Sequence, residues 1–167
     1  MTRMQKLTRC ALLTAAALVV FVIEAQIPPL TAIPGIKLGL SNIFTLFALQ
    51  VLGPGWAFAL FVMRVTLGSV ITGQMMAFIY SVAGGLLAFG VMVSMRKMSE
   101  NQLWVVSVFA AMAHNLGQLA AAVLVTGTKE ILYYLPVLLL SGILSGSFTG
   151  LCAQLVLRQL RKNRWFH

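Results

Sequence analysis

Apolar residues run through this chain in six blocks, and polar residues collect in the gaps between them. The blocks are Leu7 to Ile27, Leu38 to Leu52, Trp56 to Ile71, Met75 to Met95, Leu103 to Val125 and Ile131 to Leu157. Punctuation is sharp. Pro28-Pro29 ends the first block, Gly53-Pro54-Gly55 the second and Thr72-Gly73 the third. A helix needs about 20 apolar residues to cross about 30 Å of hydrocarbon. The pattern therefore predicts an all-α integral membrane protein of six transmembrane helices, with the second one short. The connections are brief, which predicts a single transmembrane domain over residues 1–167.

Composition strengthens this reading. Of 167 residues, 60% are hydrophobic and 9% charged, against about 25% charged in an ordinary soluble domain. The net charge of +9 suggests nucleic acid until its placement is read. With six spans and a cytosolic N-terminus, Arg3, Lys6, Arg9, Arg96, Lys97, Arg158, Arg161, Lys162 and Arg164 fall inside. Only Lys37 and Lys129 fall outside. That asymmetry predicts a multi-pass protein with both termini in the cytosol. Trp56, Trp104 and Trp165 would lie near the inner interface, and Tyr133 and Tyr134 near the outer one. The basic residues before the first block resemble a signal peptide. Five more blocks follow and no small-x-small site is evident, so the block reads as a retained span. Cys10 and Cys152 form neither a disulfide framework nor a metal-ligand spacing.

Polar residues inside a membrane are costly, and they are candidates for function. Arg64 sits mid-way along the third block and keeps its charge. It expects an anionic ligand, a polar cavity or a structural ion pair with Glu24. His114, Asn115 and Gln118 cluster in AAMAHNLGQLAAA, where His114 and Gln118 share a helix face. An interhelical hydrogen-bond clamp is one reading, but three strong hydrogen-bonding residues in five positions exceed what a clamp needs, which favours a ligand-facing role. Pro34 to Asn42 enters the membrane from outside with Gly35-x-x-x-Gly39 and Lys37. It is a ligand loop or a re-entrant cap on a short helix. Glu24 is a counter-ion, a cation site or a residue at the outer headgroups. Together Glu24, Lys37, Asn42, Arg64, His114, Asn115 and Gln118 describe a pocket open to the outer side, suited to a small anionic or zwitterionic molecule.

Small residues mark packing faces. Gly142-x-x-x-Gly146-x-x-x-Gly150 and the Ser81, Gly84, Gly85, Ala88 set are expected to hold the bundle together. Ala11-x-x-x-Ala15 leaves a small-residue face at the cytosolic end of the first span.

PGIKLGLSN, the Arg of FVMRVTLGS, YSVAGGLLAFGVM, AHNLGQL and SGILSGSFTG resemble the small bacterial membrane proteins called heptaprenyl diphosphate synthase component I, or Gx transporters. That family in turn is similar to the substrate-binding S components of energy-coupling-factor transporters. The resemblance implies a six-helix bundle that binds a small molecule from the outer side. It also implies a site around Lys37, Asn42, Arg64, His114, Asn115 and Gln118. In such S components an AxxxA pattern on the first helix meets a transmembrane coupling subunit, and Ala11 and Ala15 match it.

The two family labels point different ways. Prenyl transfer needs magnesium held by clustered aspartates. This chain has no Asp, and its three acidic residues, Glu24, Glu100 and Glu130, are scattered. No GxxxxGK[ST] motif is present either. The expectation is a noncatalytic protein without a cofactor: a transport or substrate-binding component whose ATPases act in trans. A noncatalytic subunit of polyprenyl diphosphate or quinone biosynthesis is the alternative. A scaffold of a membrane redox assembly is third, since no haem or iron–sulfur ligand pattern occurs.

Overall fold

The computed structural model describes residues 1–26, 37–96 and 102–162. Ile27, Gly35, Lys97, Arg164 and Trp165 lie outside these residues. The described chain is helical, with no strand. Six helices follow in order: α1 (Arg3–Gln26), α2 (Asn42–Val51), α3 (Pro54–Thr72), α4 (Met75–Ser94), α5 (Leu103–Thr126) and α6 (Leu135–Lys162). A 3-10 turn, Lys129–Tyr134, precedes α6. All but α2 belong to segments long and apolar enough to cross a membrane.

The exception corrects the expected second span. Helix α2 has 10 residues, which rise about 15 Å, half of a hydrocarbon core. Lys37 to Ser41 ahead of it are non-helical, and Gly39 takes a left-handed φ of 76°. At its other end Gly53, at φ 95°, turns the chain directly into α3, and Pro54 opens that helix. Proline suits a first helical position because the N–H it lacks has no intrahelical partner there.

Short as it is, α2 is central, contacting all five other helices. Thr45, Leu46, Ala48 and Leu49 are buried along it. The long helices pack around it, α1 on α3 and α4 on α5 on α6. Glycines let the backbones of the second group approach. A Cβ on Gly117 would come within 2.7 Å of the Gly84 Cα. One on Gly146 would come within 2.7 Å of the Val108 Cα, and one on Gly150 within 2.6 Å of the Trp104 Cα. The predicted packing faces of α4 and α6 thus both meet α5. A Ser107–Thr149 hydroxyl contact of 3.0 Å joins α5 to α6 alongside them. The outer surface carries many large apolar side chains, among them Val70, Leu124, Leu144 and Phe148. Such a surface is at home in hydrocarbon and a liability in water.

Candidate functional site

The non-helical residues Lys37 to Ser41 form a strap across the upper interior of the bundle. The first turn of α2 donates to the carbonyls of Gly39, Leu40 and Ser41. The strap's own N–H groups have no helix to satisfy them, and in an apolar interior they must find partners. Side chains from two helices supply these. Glu24 of α1 accepts hydrogen bonds through one carboxylate oxygen from the N–H groups of Gly39 and Leu40, the latter at 3.3 Å. Gln118 of α5 accepts the Lys37 N–H at 3.2 Å.

Arg64 of α3 reaches the end of the strap. One terminal nitrogen donates to the Ser41 hydroxyl, and Nη2 donates to Asn42 Oδ1 at 2.9 Å. This replaces the direct Arg64–Glu24 pair weighed from the sequence. Glu24 is occupied by backbone N–H groups, and each terminal nitrogen of Arg64 donates to a neutral acceptor while Nε has no partner among the described residues. The side chain is almost fully buried, and its Cζ lies 5.9 Å from the Phe61 ring centroid.

Strap and helices enclose a cavity of about 10 Å³ lined by Phe21, Glu24, Lys37, Gly39, Ser41, Arg64, Ser81 and His114. That is room for roughly one water. Lys37 lies over Phe21, with Nζ 3.6 Å from the ring centroid. Gly39 passes against His114, so a Cβ there would meet the imidazole Cδ2 at 2.9 Å. On its other side His114 Nδ1 faces the Gly84 backbone, in electrostatic contact but without a hydrogen bond of normal geometry.

The site is rich in buried polar atoms that find no hydrogen-bond partner among the described residues. They include Lys37 Nζ, Asn42 Nδ2, Arg64 Nε, His114 Nδ1 and Gln118 Nε2. Each such group costs about 1–3 kcal/mol, and native interiors hold few of them. Five in one region, from the strap and from α2, α3 and α5, form a preorganised set of hydrogen-bonding groups.

All seven residues singled out from the sequence are buried. Glu24, Lys37, Arg64 and His114 line the cavity. Asn42 and Gln118 stand behind it, holding Arg64 and the strap. Asn115 goes elsewhere. Its Nδ2 donates to the Leu138 carbonyl at 2.6 Å and lies 3.4 Å from the Ser141 hydroxyl, clamping α5 to α6. Ala11 and Ala15 are exposed on α1, while Thr14 and Ala17 turn inward. Sequence reasoning missed Phe21 as a lining residue, although it precedes Glu24 by three positions and shares its face. It read Ser81 only as a packing residue.

Among the described residues no three His, Cys or acidic side chains gather to hold a metal. A second, shallow depression lies between α4 and α5. It is lined by residues such as Leu87, Gly90, Phe109 and Leu116, and its lining carries no charged side chain.

The heptaprenyl diphosphate synthase component I description matches residues 13–156. The chain belongs to that family. No curated protein and no solved structure matches it. The matched region takes in every residue of the cavity and all of α2 to α5, so the whole candidate site lies within the part of the chain that the family model covers.

Proposed function

We propose that the protein is a membrane substrate-binding component that takes a small, polar molecule into the pocket beneath the strap. The carrying observation is the group of buried polar atoms without partners among the described residues, with Lys37, Arg64 and His114 lining one cavity and Asn42 and Gln118 behind it. A bound molecule would satisfy them, whereas a purely structural role leaves their cost unexplained. In this reading the chain lies in a bacterial cytoplasmic membrane with both termini in the cytosol, as its charge asymmetry favours. The pocket then opens outward. Transport would draw on a coupling subunit and ATPases in trans, in the manner of energy-coupling-factor S components, and the exposed Ala11 and Ala15 are the proposed contact. The ligand is anionic or quinone- or cofactor-related, and the chain itself performs no catalysis.

Native mass spectrometry of the protein in lipid nanodiscs tests the reading. A retained small molecule should be released by His114→Ala while circular dichroism shows the helices intact. A wild-type protein that never carries a small molecule, from cells or from added extracts, would overturn it.

The family's description favours a second reading, a noncatalytic membrane subunit of a heptaprenyl diphosphate synthase. Co-purification with a soluble prenyltransferase, and altered product length when the chain is deleted, would support it. Unaltered products would count against it.

A further inference from the structure

The buried charges around the cavity do not cancel. Arg64 and Lys37 are cations, and among the described residues Glu24 is the one acidic group near them; both cations act on its carboxylate through space. Glu24 accepts two backbone N–H bonds through a single oxygen, which suits an ionised carboxylate, since that form only accepts. His114 is counted as a neutral imidazole, because a third cation there would have no partner. The sum is one positive charge in excess, in an interior where an uncompensated charge is expensive.

Resting on the reading of this site as a ligand pocket, we infer that the ligand presents a single carboxylate, and that the Lys37 ammonium is its counter-ion. Arg64 is a positioning residue instead. Both its terminal nitrogens are committed to Ser41 and Asn42, so it fixes the junction between strap and α2. Lys37 is the uncommitted cation. Its Nζ has no hydrogen-bond partner among the described residues and rests on the Phe21 ring. That contact favours a cation without neutralising it. Two other nitrogens of cavity-lining residues are unpartnered among the described residues: Arg64 Nε, which can only donate, and His114 Nδ1, which donates in one neutral tautomer. A ligand placed among them must accept hydrogen bonds. A carboxylate offers two accepting oxygens and one charge, which matches both the donor excess and the charge excess. A doubly charged anion would reverse the charge of the site rather than balance it.

The test measures thermal unfolding of the full chain in nanodiscs after exhaustive washing, at constant chloride. Wild type, Lys37→Met and Lys37→Arg are compared with acetate, benzoate, benzamide or sulfate added. Without additives Lys37→Met should melt about 3 °C above wild type, because the uncompensated charge is gone. Wild type and Lys37→Arg should gain stability saturably with acetate and benzoate, and Lys37→Met should not. Any of four results would overturn the inference: Lys37→Met melting below wild type without additive, benzamide matching benzoate, sulfate exceeding both carboxylates, or no response to either carboxylate. A neutral molecule retained by wild type in the native spectrum would remove this inference and leave the binding function standing.

Discussion

Lys37 and Gln118 stand 81 positions apart in the chain and meet through a hydrogen bond of 3.2 Å, from the Lys37 backbone N–H to the Gln118 side-chain oxygen. The bond fixes where the strap enters the bundle, and so where the Lys37 ammonium hangs over the cavity. Replacing Gln118 by Leu removes this anchor and one unpartnered donor together. The net stability loss should be about 1 kcal/mol. The clearer readout is hydrogen exchange. The Lys37 amide should exchange at least tenfold faster in Gln118→Leu, with protection in α3 and α4 unchanged.

Arg64 is more sensitive. Arg64→Met leaves the Ser41 hydroxyl and Asn42 Oδ1 without their shared donor, and it frees the start of α2. A loss of about 3 kcal/mol is expected, in the range for hydrogen bonds to a charged group. Arg64→Lys should recover only part of this, since a single ammonium lacks the planar fork that reaches two acceptors. Thermal melts in nanodiscs should rank wild type above Lys above Met.

The α4–α5 contact depends on the absence of side chains. A Cβ at Gly84 would lie 2.6 Å from the His114 carbonyl oxygen, an atom of helix backbone with no freedom to move aside. Gly84→Val should therefore cost about 3 kcal/mol through overpacking and displace the imidazole. Gly90, on the same helix, has nothing within 4 Å of the corresponding point. Gly90→Ala should be neutral or stabilising by up to about 1 kcal/mol. Equal effects at the two glycines would show that the close contact is not what matters.

Asn115 separates packing from binding. Its amide holds the Leu138 carbonyl of α6, and it does not line the cavity. Asn115→Leu should lower stability by about 1 kcal/mol, typical of interhelical hydrogen bonds in membranes. Benzoate should still stabilise the variant to within twofold of the wild-type half-saturating concentration. His114→Ala, one position away, should abolish that response.

The helices were legible because solvent chemistry writes them as long apolar blocks, and the glycine stripes were legible because close backbone approach excludes larger residues. The second block was read as a span from Leu38 and, alternatively, as a loop capping a short helix, and the described residues from Lys37 onward take the second form for a physical reason. Hydropathy reports which residues tolerate lipid, and Leu38 and Leu40 do so in strap or helix alike. What keeps Lys37 to Ser41 out of a helix is tertiary: Glu24 and Gln118 accept the backbone N–H groups, and no local pattern announces partners so distant in sequence. The same limit applies to Asn115. Neighbouring positions on α5 differ by about 100° in direction, so His114 faces the cavity while Asn115 faces α6. Spacing alone does not say which direction meets a cavity and which a helix. Arg64 was recognisable as a buried charge, yet its partners Ser41 and Asn42 were visible only as polar residues in a loop.

The brevity of α2 has a consequence for how the chain is assembled. Ten residues do not span a bilayer, and the strap ahead of them exposes backbone N–H groups that lipid cannot satisfy. One anchor, Glu24, precedes α2 in the chain, and Arg64 follows soon after. The last, Gln118, is synthesised far later, within α5. The long helices can each insert independently, but α2 reaches its final place only when α5 has arrived to receive it. A ribosome-bound chain ending before Gln118 should therefore carry α2 in a protease-sensitive, unfinished state. The strap would then be the last part of the bundle to close.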